Sequence, residues 1–259
     1  MARKRPKGTC HICGQYGPLS FEHIPPRKAF NDRRVIIVQF EDAIRLGPYE
    51  VAKGPIQQRG TGDYTLCPKC NNRTGHWYGS RFVDWCYQGM SILIRAGGKP
   101  SLIYLHYVFP LAVLKQIITM FLSVNATTFG KANPELVRLV LDRDAKYLPP
   151  GYRFFVYFST TGKFRFSGLS GRLRVPSGEI TLMSEITYPP FGYLMTIDSK
   201  PPDRRLFEIT HFSRYDYNEF KIMTLKLPVL PTHLACPGDY RTKDEILEQA
   251  ARTKDSDVA

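Results

Sequence analysis

The most apolar stretch of the chain runs from residue 104 to residue 124, yet it carries His106, Pro110, Lys115 and Gln116. Those polar residues argue against a segment buried in lipid. The stretch therefore reads as a buried strand followed by a helix over 111–123. Asn133-Pro134 predicts a second helix start, with proline at the first helical position, and that helix runs to about residue 145. The spacing then changes to strand-like runs at 152–159, 163–167, 179–186, 191–197, 206–212 and 219–227. Turns rich in Gly, Pro, Asp and Ser separate them, the pattern of a mostly antiparallel sheet. From Thr242 the tail reads as a helix ending in loose, charged residues.

The N-terminal third has a different texture. Residues 1–8 form a basic arm, and residues 9–25 alternate turns with short extended pieces. Residues 35–40 (VIIVQF) read as a strand, and the Gly- and Pro-rich stretch 47–62 reads as a loop. A helix is expected over 71–94, starting at Asn71 or Asn72 and passing through Trp77, Phe82, Trp85 and Ile92, with Gly75, Gly79 and Gly89 as weak points. The expected fold class is α+β: a small module over 1–94 joined to an α+β domain over 95–259 with a mostly antiparallel sheet.

The chain has 259 residues, 43% of them hydrophobic, which is enough for one large or two small cored domains. Its formal charge is +13, which fits a polyanionic partner because bound Lys and Arg release phosphate counterions. No Walker loop and no G-x-G-x-x-G stretch occurs. No apolar segment follows the basic N-terminus, so the expectation is a soluble cytoplasmic protein without a membrane partner.

Four of the six cysteines stand as two C-x-x-C pairs, Cys10/Cys13 and Cys67/Cys70, with 53 residues between the pairs. This spacing suits a metal better than a disulfide framework and suits a reducing compartment. Four thiolates can close a tetrahedral Zn2+ site that staples the ends of the long excursion and adds directly to folding. Cys86 and Cys236 read as packed thiols. Glu22-His23 follows the first pair by ten residues, and Asn71 directly follows Cys70. One shared zinc would place Asn71 beside it at a helix start. Adjacent strand residues point to opposite faces, so a bend is needed for Glu22 and His23 to serve one site, and Ile24-Pro25-Pro26 supplies a break.

The order C-H-I-C, S-F-E-H-I-P-P, C-P-K-C-N-N over residues 10–75 resembles the HNH (ββα-metal) endonuclease family. It is similar to the two-knuckle subgroup that includes phage Holliday-junction resolvases and stand-alone bacterial and phage HNH endonucleases. The resemblance implies a metal-dependent enzyme that hydrolyses phosphodiester bonds in nucleic acid, DNA first, in phage defence or mobile-element biology. It makes His23 the general base and gives Glu22 and Asn71 to a catalytic Mg2+ or Mn2+ distinct from the zinc. Many members have Asp where this chain has Glu22. Their middle Asn has no evident counterpart, since Gly62 and Asp63 occupy that zone; Asp63 is the stand-in expected to fix the loop or to join the metal.

Lys69, Arg73, Arg27 and Lys28 are candidate nucleic-acid contacts, joined by Arg33 and Arg34. Each also has an ordinary reading as an exposed charge. His11 reads as a solvated loop residue and His76 as packed or exposed, while His106, His211 and His233 have no evident partner. The alternative function is a non-catalytic zinc-knuckle protein that binds nucleic acid or another protein. The 95–259 segment is expected to position substrate through Lys163, Arg165, Arg172, Arg174, Arg204 and Arg205 on its turns, to pair two copies into a homodimer, or to bind another protein. Its aromatic strand residues, such as Phe154, Phe155 and Phe158, read as core.

Overall fold

The computed structural model describes residues 5–47, 50–51, 53–174 and 178–256. The first four residues of the expected basic arm lie outside the described residues, as do three residues of the 47–62 loop and the last three of the tail.

β1 (Lys7–Thr9) and β2 (Tyr16–Pro18) pair antiparallel around the tight turn that holds Cys10 and Cys13. β3 (Ser20–His23) leads into an excursion over residues 24–61. That excursion contains β4 (Val35–Ile36), α1 (Phe40–Ala43) and β5 (Ile56–Gln57), and it returns as β6 (Gly62–Leu66). β4 pairs with β5, and β3 pairs with β6, both antiparallel. The strand expected over 35–40 thus shrinks to two residues. Ile36 is 47% exposed, so the run buries no apolar face, and Glu41 and Asp42 favour a helix start at Phe40.

α2 (Pro68–Thr74), one π-helical turn (Gly75–Gly79) and α3 (Ser80–Arg95) form a continuous helical run. It starts three residues before Asn71 because Cys67 caps it: Cys70 N–H donates to Cys67 Sγ at 3.5 Å, and Pro68 takes the first position. Gly75 and Gly79 bound the π turn, which interrupts the helix without ending it. Gly89 has a packing reason, since a Cβ there would lie 2.3 Å from Phe191 Cζ. The missing side chain lets α3 lie directly on that ring, and Trp85 stacks on it at 4.8 Å.

β7 (Ser101–Val108) precedes α4 (Pro110–Val124), α5 (Thr127–Ala132) and α6 (Pro134–Leu141). Every residue of α4 from Pro110 to Ser123 is buried, as expected of a helix apolar on all sides. Its Lys115 is buried with them and donates from Nζ to the carbonyls of Asp142 and Arg143 at 2.7 and 2.8 Å. A cation at these carbonyls closes α6 at Leu141, short of the expected residue 145. α5 was not expected.

β8 (Tyr152–Phe158), β9 (Arg165–Arg174), β10 (Glu179–Tyr188), β11 (Phe191–Ile197) and β12 (Phe207–Glu208) make an antiparallel sheet in the order β12-β8-β11-β10-β9. β9 is twice as long as its expected run. The run 206–212 is mostly not strand: after β12 comes a 3-10 turn (Thr210–Arg214). Its buried Ile209 and Phe212 are three residues apart, a helical spacing and not a strand spacing. β13 (Lys221–Pro228) pairs with β7 along its whole length, and α7 (Lys243–Ser256) ends the described chain.

One buried apolar cluster runs from Cys10 and Ile12 through Trp85, α4 and Phe191 to Leu227, so the cysteine turns and the sheet share a core. A smaller cluster around Tyr157, Met183, Leu194 and Tyr240 lies apart from it. Arg165, expected on a solvent-facing turn, is buried beside this second cluster. It bonds Glu185 at 3.0 Å and donates to the carbonyls of Leu234 and Asp239. The fold is mixed α+β with antiparallel sheets. Among the described residues no helix is long and apolar enough to cross a membrane.

Candidate functional site

The first turn and the start of α2 bring Cys10, Cys13, Cys67 and Cys70 together, with all four sulfurs within 4.8 Å of one another. Cys13 Sγ and Cys67 Sγ are 3.8 Å apart. A tetrahedral site with metal–sulfur bonds of about 2.3 Å has edges of about 3.8 Å, so the cluster has the right size for a four-thiolate metal ion. Four thiolates this close need a cation. Burial pushes the Cys13 thiol up, and the hydrogen bond with Cys10, helped by burial, pushes Cys70 up.

The same helix start carries Asn71 onto β3. Asn71 Nδ2 donates to Ser20 Oγ at 3.0 Å and to the Phe21 carbonyl at 3.3 Å, one residue before Glu22 and two before His23. Among the described residues no donor reaches its Oδ1. Helix α2 is thus tied through Asn71 to the strand that carries Glu22 and His23.

Glu22 is only 7% exposed, and no hydrogen bond or ion pair reaches its carboxylate among the described residues. Burial alone raises its pKa to about 8. A carboxylate buried without a cation is costly, and it is the type of ligand that takes a hard divalent ion. Asp63 stands directly opposite Glu22 in the β3–β6 pairing, exposed, with Oδ1 accepting from Tyr64 N–H.

This burial gives a stability prediction. The Glu22 carboxyl ionises near pH 4.5 in the unfolded chain and near 8 in the folded one. Between those values the folded state holds the extra proton, so stability falls as pH rises from about 4.5 to 8. Glu22→Gln removes that dependence. Without added divalent metal it is expected to be more stable than wild type at pH 8, by up to about 5 kcal/mol. The urea midpoint measured at pH 5 and pH 8 checks this. A wild-type midpoint that does not fall between them would show the carboxylate already partnered.

His23 is half-buried on the opposite side of the strand from Glu22, edge-on to Phe21 at 4.9 Å. Its Nε2 lies 3.1 Å from the Arg59 carbonyl. A carbonyl only accepts, so that nitrogen carries the proton and the other ring nitrogen keeps the lone pair. Burial pulls the imidazole below its ordinary pKa, and the charge of Arg27 adds to that effect against the pull of the Arg59 hydrogen bond.

The loop that holds His23 is fixed by Asn31, a residue that sequence reasoning missed. Asn31 is fully buried. Its Nδ2 donates to the carbonyls of Pro25 and Thr61 at 2.6 and 2.8 Å, and its Oδ1 accepts from Thr61 N–H at 2.6 Å. Thr61 Oγ1 closes the ring of bonds onto the Ile24 carbonyl. Both legs of the excursion are therefore tied beside His23, a task that had been expected of Asp63. Gly60 belongs to this joint: its φ is +88°, and a Cβ would lie 2.2 Å from the Asn31 carbonyl oxygen. No local pattern marks Asn31, because the partner that joins the two legs, Thr61, lies thirty residues away. Asn31→Ala leaves the Pro25 carbonyl and the Thr61 N–H without partners and is expected to cost about 3 kcal/mol in urea unfolding. A loss below about 0.5 kcal/mol would mean that the legs hold without it.

Arg27, Lys28, Lys69 and His76 are exposed, while Arg73 is half-buried with its guanidinium 5.5 Å from the Trp77 ring. His11 is not solvated as expected: it is half-buried, with Nδ1 3.2 Å from the Leu122 carbonyl. His106 is buried against Trp85. No protein-family model matches this chain, and neither does any curated protein or solved structure.

Proposed function

We propose that the chain is a metal-dependent endonuclease of the HNH type, hydrolysing phosphodiester bonds in nucleic acid, with DNA as the first substrate to test. The observation that carries this reading is that Asn71, at the cysteine-anchored start of α2, bonds to β3 at Ser20 and Phe21, the residues just before Glu22 and His23. A purely structural metal turn would need the cysteines alone. It would not require a buried carboxylate without a partner.

In this reading the four cysteines hold Zn2+ and position α2. The carboxylate of Glu22 and Oδ1 of Asn71 would hold Mg2+ or Mn2+; oxygen donors suit such hard ions. When bound, that ion stabilises negative charge on the phosphate and on the leaving oxygen. His23 takes a proton from the attacking water through its free ring nitrogen, and its lowered pKa keeps it neutral at pH 7. The Arg59 carbonyl holds the ring orientation, and Asn31 holds Arg59's leg of the loop.

The test is nicking of supercoiled plasmid by zinc-loaded protein with Mg2+ or Mn2+. Loss of nicking on chelation and recovery on adding the metal back support the reading. Absence of nicking on plasmid, branched DNA and RNA alike would overturn it.

A further inference from the structure

We infer that the nucleic-acid backbone is bound on the 24–61 excursion, with Arg27 and Arg59 as phosphate-positioning residues on its two legs beside His23, and not on the five-stranded sheet. This rests on the endonuclease reading for its substrate class, but three observations on charge and geometry locate the surface.

The charge is divided unevenly along the chain. Residues 1–142 hold 19 of the 36 Lys and Arg but only 9 of the 23 Asp and Glu, a net +10 of the total +13. The ion pairs are divided in the opposite sense. Among the described residues every ion pair lies at residue 143 or beyond, including Arg153–Glu208, Arg165–Glu185, Arg205–Asp203 and Arg241–Asp239. The cations of the sheet half are thus largely neutralised in place. Arg27, Lys28, Arg33, Arg34 and Arg59 are all exposed, and among the described residues none has a carboxylate partner. Cations crowded on one excursion repel one another unless a polyanion joins them.

The geometry then selects two of these residues. The Arg59 carbonyl accepts from His23 Nε2 at 3.1 Å, so the backbone of residue 59 lies against the imidazole. Arg27 stands on the other leg, its carbonyl accepting from Asn31 N–H at 3.1 Å. The Asn31–Thr61 bonds fix the legs on which both stand. Each of the two legs beside His23 therefore carries an exposed arginine, and Arg suits phosphate contacts because its planar fork matches phosphate oxygens.

The test measures binding without chemistry. Full-length, zinc-loaded protein is titrated into fluorescein-labelled 30-bp duplex DNA over a range of NaCl, without added divalent metal. Each lost phosphate contact lowers the slope of log K against log salt by about 0.9. The Arg27→Gln/Arg59→Gln double variant is expected to lose about 2 from that slope and at least tenfold in affinity at low salt. Arg172→Gln/Arg204→Gln, on the sheet half, should leave both unchanged. Both pairs of side chains are exposed, so urea midpoints should match wild type and exclude misfolding. An unchanged slope in the first variant, a loss in the second instead, or wild-type binding that ignores salt would each overturn the assignment. Wild-type binding with these slopes but no cleavage of any substrate would sink the hydrolytic reading alone.

Discussion

Cys70→Ser is expected to bind no zinc and to lose on the order of 5 kcal/mol of stability, the largest loss of any single substitution considered. Cys70 is buried and belongs to both the metal cluster and the first turn of α2. Its three partners arrive from the turn between β1 and β2 and from the α2 N-cap, so one ion would tie together segments separated by the whole excursion. Losing one thiolate from a closed four-ligand site opens it and leaves three sulfurs crowded without sufficient compensation. The damage does not stay local, because Cys10, Ile12, Leu66 and Cys70 lie in the same buried cluster as α4 and the sheet. Zinc content by mass spectrometry and a thermal melt by circular dichroism provide the check. The expected wild-type content is one zinc per chain, with a large fall in Tm on chelation. Cys86→Ser and Cys236→Ser should keep the zinc, since neither sulfur belongs to the cluster. A wild-type chain that melts at the same temperature with and without chelator would mean that these are four reduced thiols with no structural ion.

What the sequence revealed about this fold depended on how far away each element's determinants lie. β11 was legible to the residue because Phe191–Ile197 is a short apolar run between turns. The start of α6 was legible because Asn133-Pro134 is a local signal. The cysteine cluster was legible because spacing in each pair is a local constraint, even though the pairs meet across 53 residues. The run 206–212 misled because Ile209 and Phe212 satisfy an apolar count without having a strand's period. Arg165 misled because its burial is set by Glu185 and by carbonyls near residue 234, none of which is adjacent in sequence. Within the candidate site, Glu22, His23 and Asn71 were nameable from their order around the cysteines. Asn31 and Arg59 were not, because an amide that ties two loop legs leaves no trace until the legs are brought together.

His23→Ala is expected to lower plasmid nicking by about 10^2- to 10^4-fold while leaving zinc content and DNA affinity unchanged. A general base contributes about 10^2 to 10^4 in rate, and two of the other imidazoles are held elsewhere. His11 is tied to the Leu122 carbonyl and His106 is buried against Trp85. The pH profile tests the same assignment independently. The imidazole acts only when neutral, and burial together with Arg27 holds its pKa below the ordinary 6.5. Nicking by wild type with saturating metal should therefore be flat through pH 7 to 8 and fall only below about 6.5, as the base becomes protonated. If Glu22 were the base, its carboxyl, raised to about 8, would place the acid limb near pH 8 instead. The residual rate of His23→Ala should have lost the limb below 6.5. Equal nicking by wild type and His23→Ala would place the chemistry elsewhere on the chain or in a contaminant. A wild-type limb near pH 8 with the variant still active would transfer the proton-accepting role from His23 to Glu22.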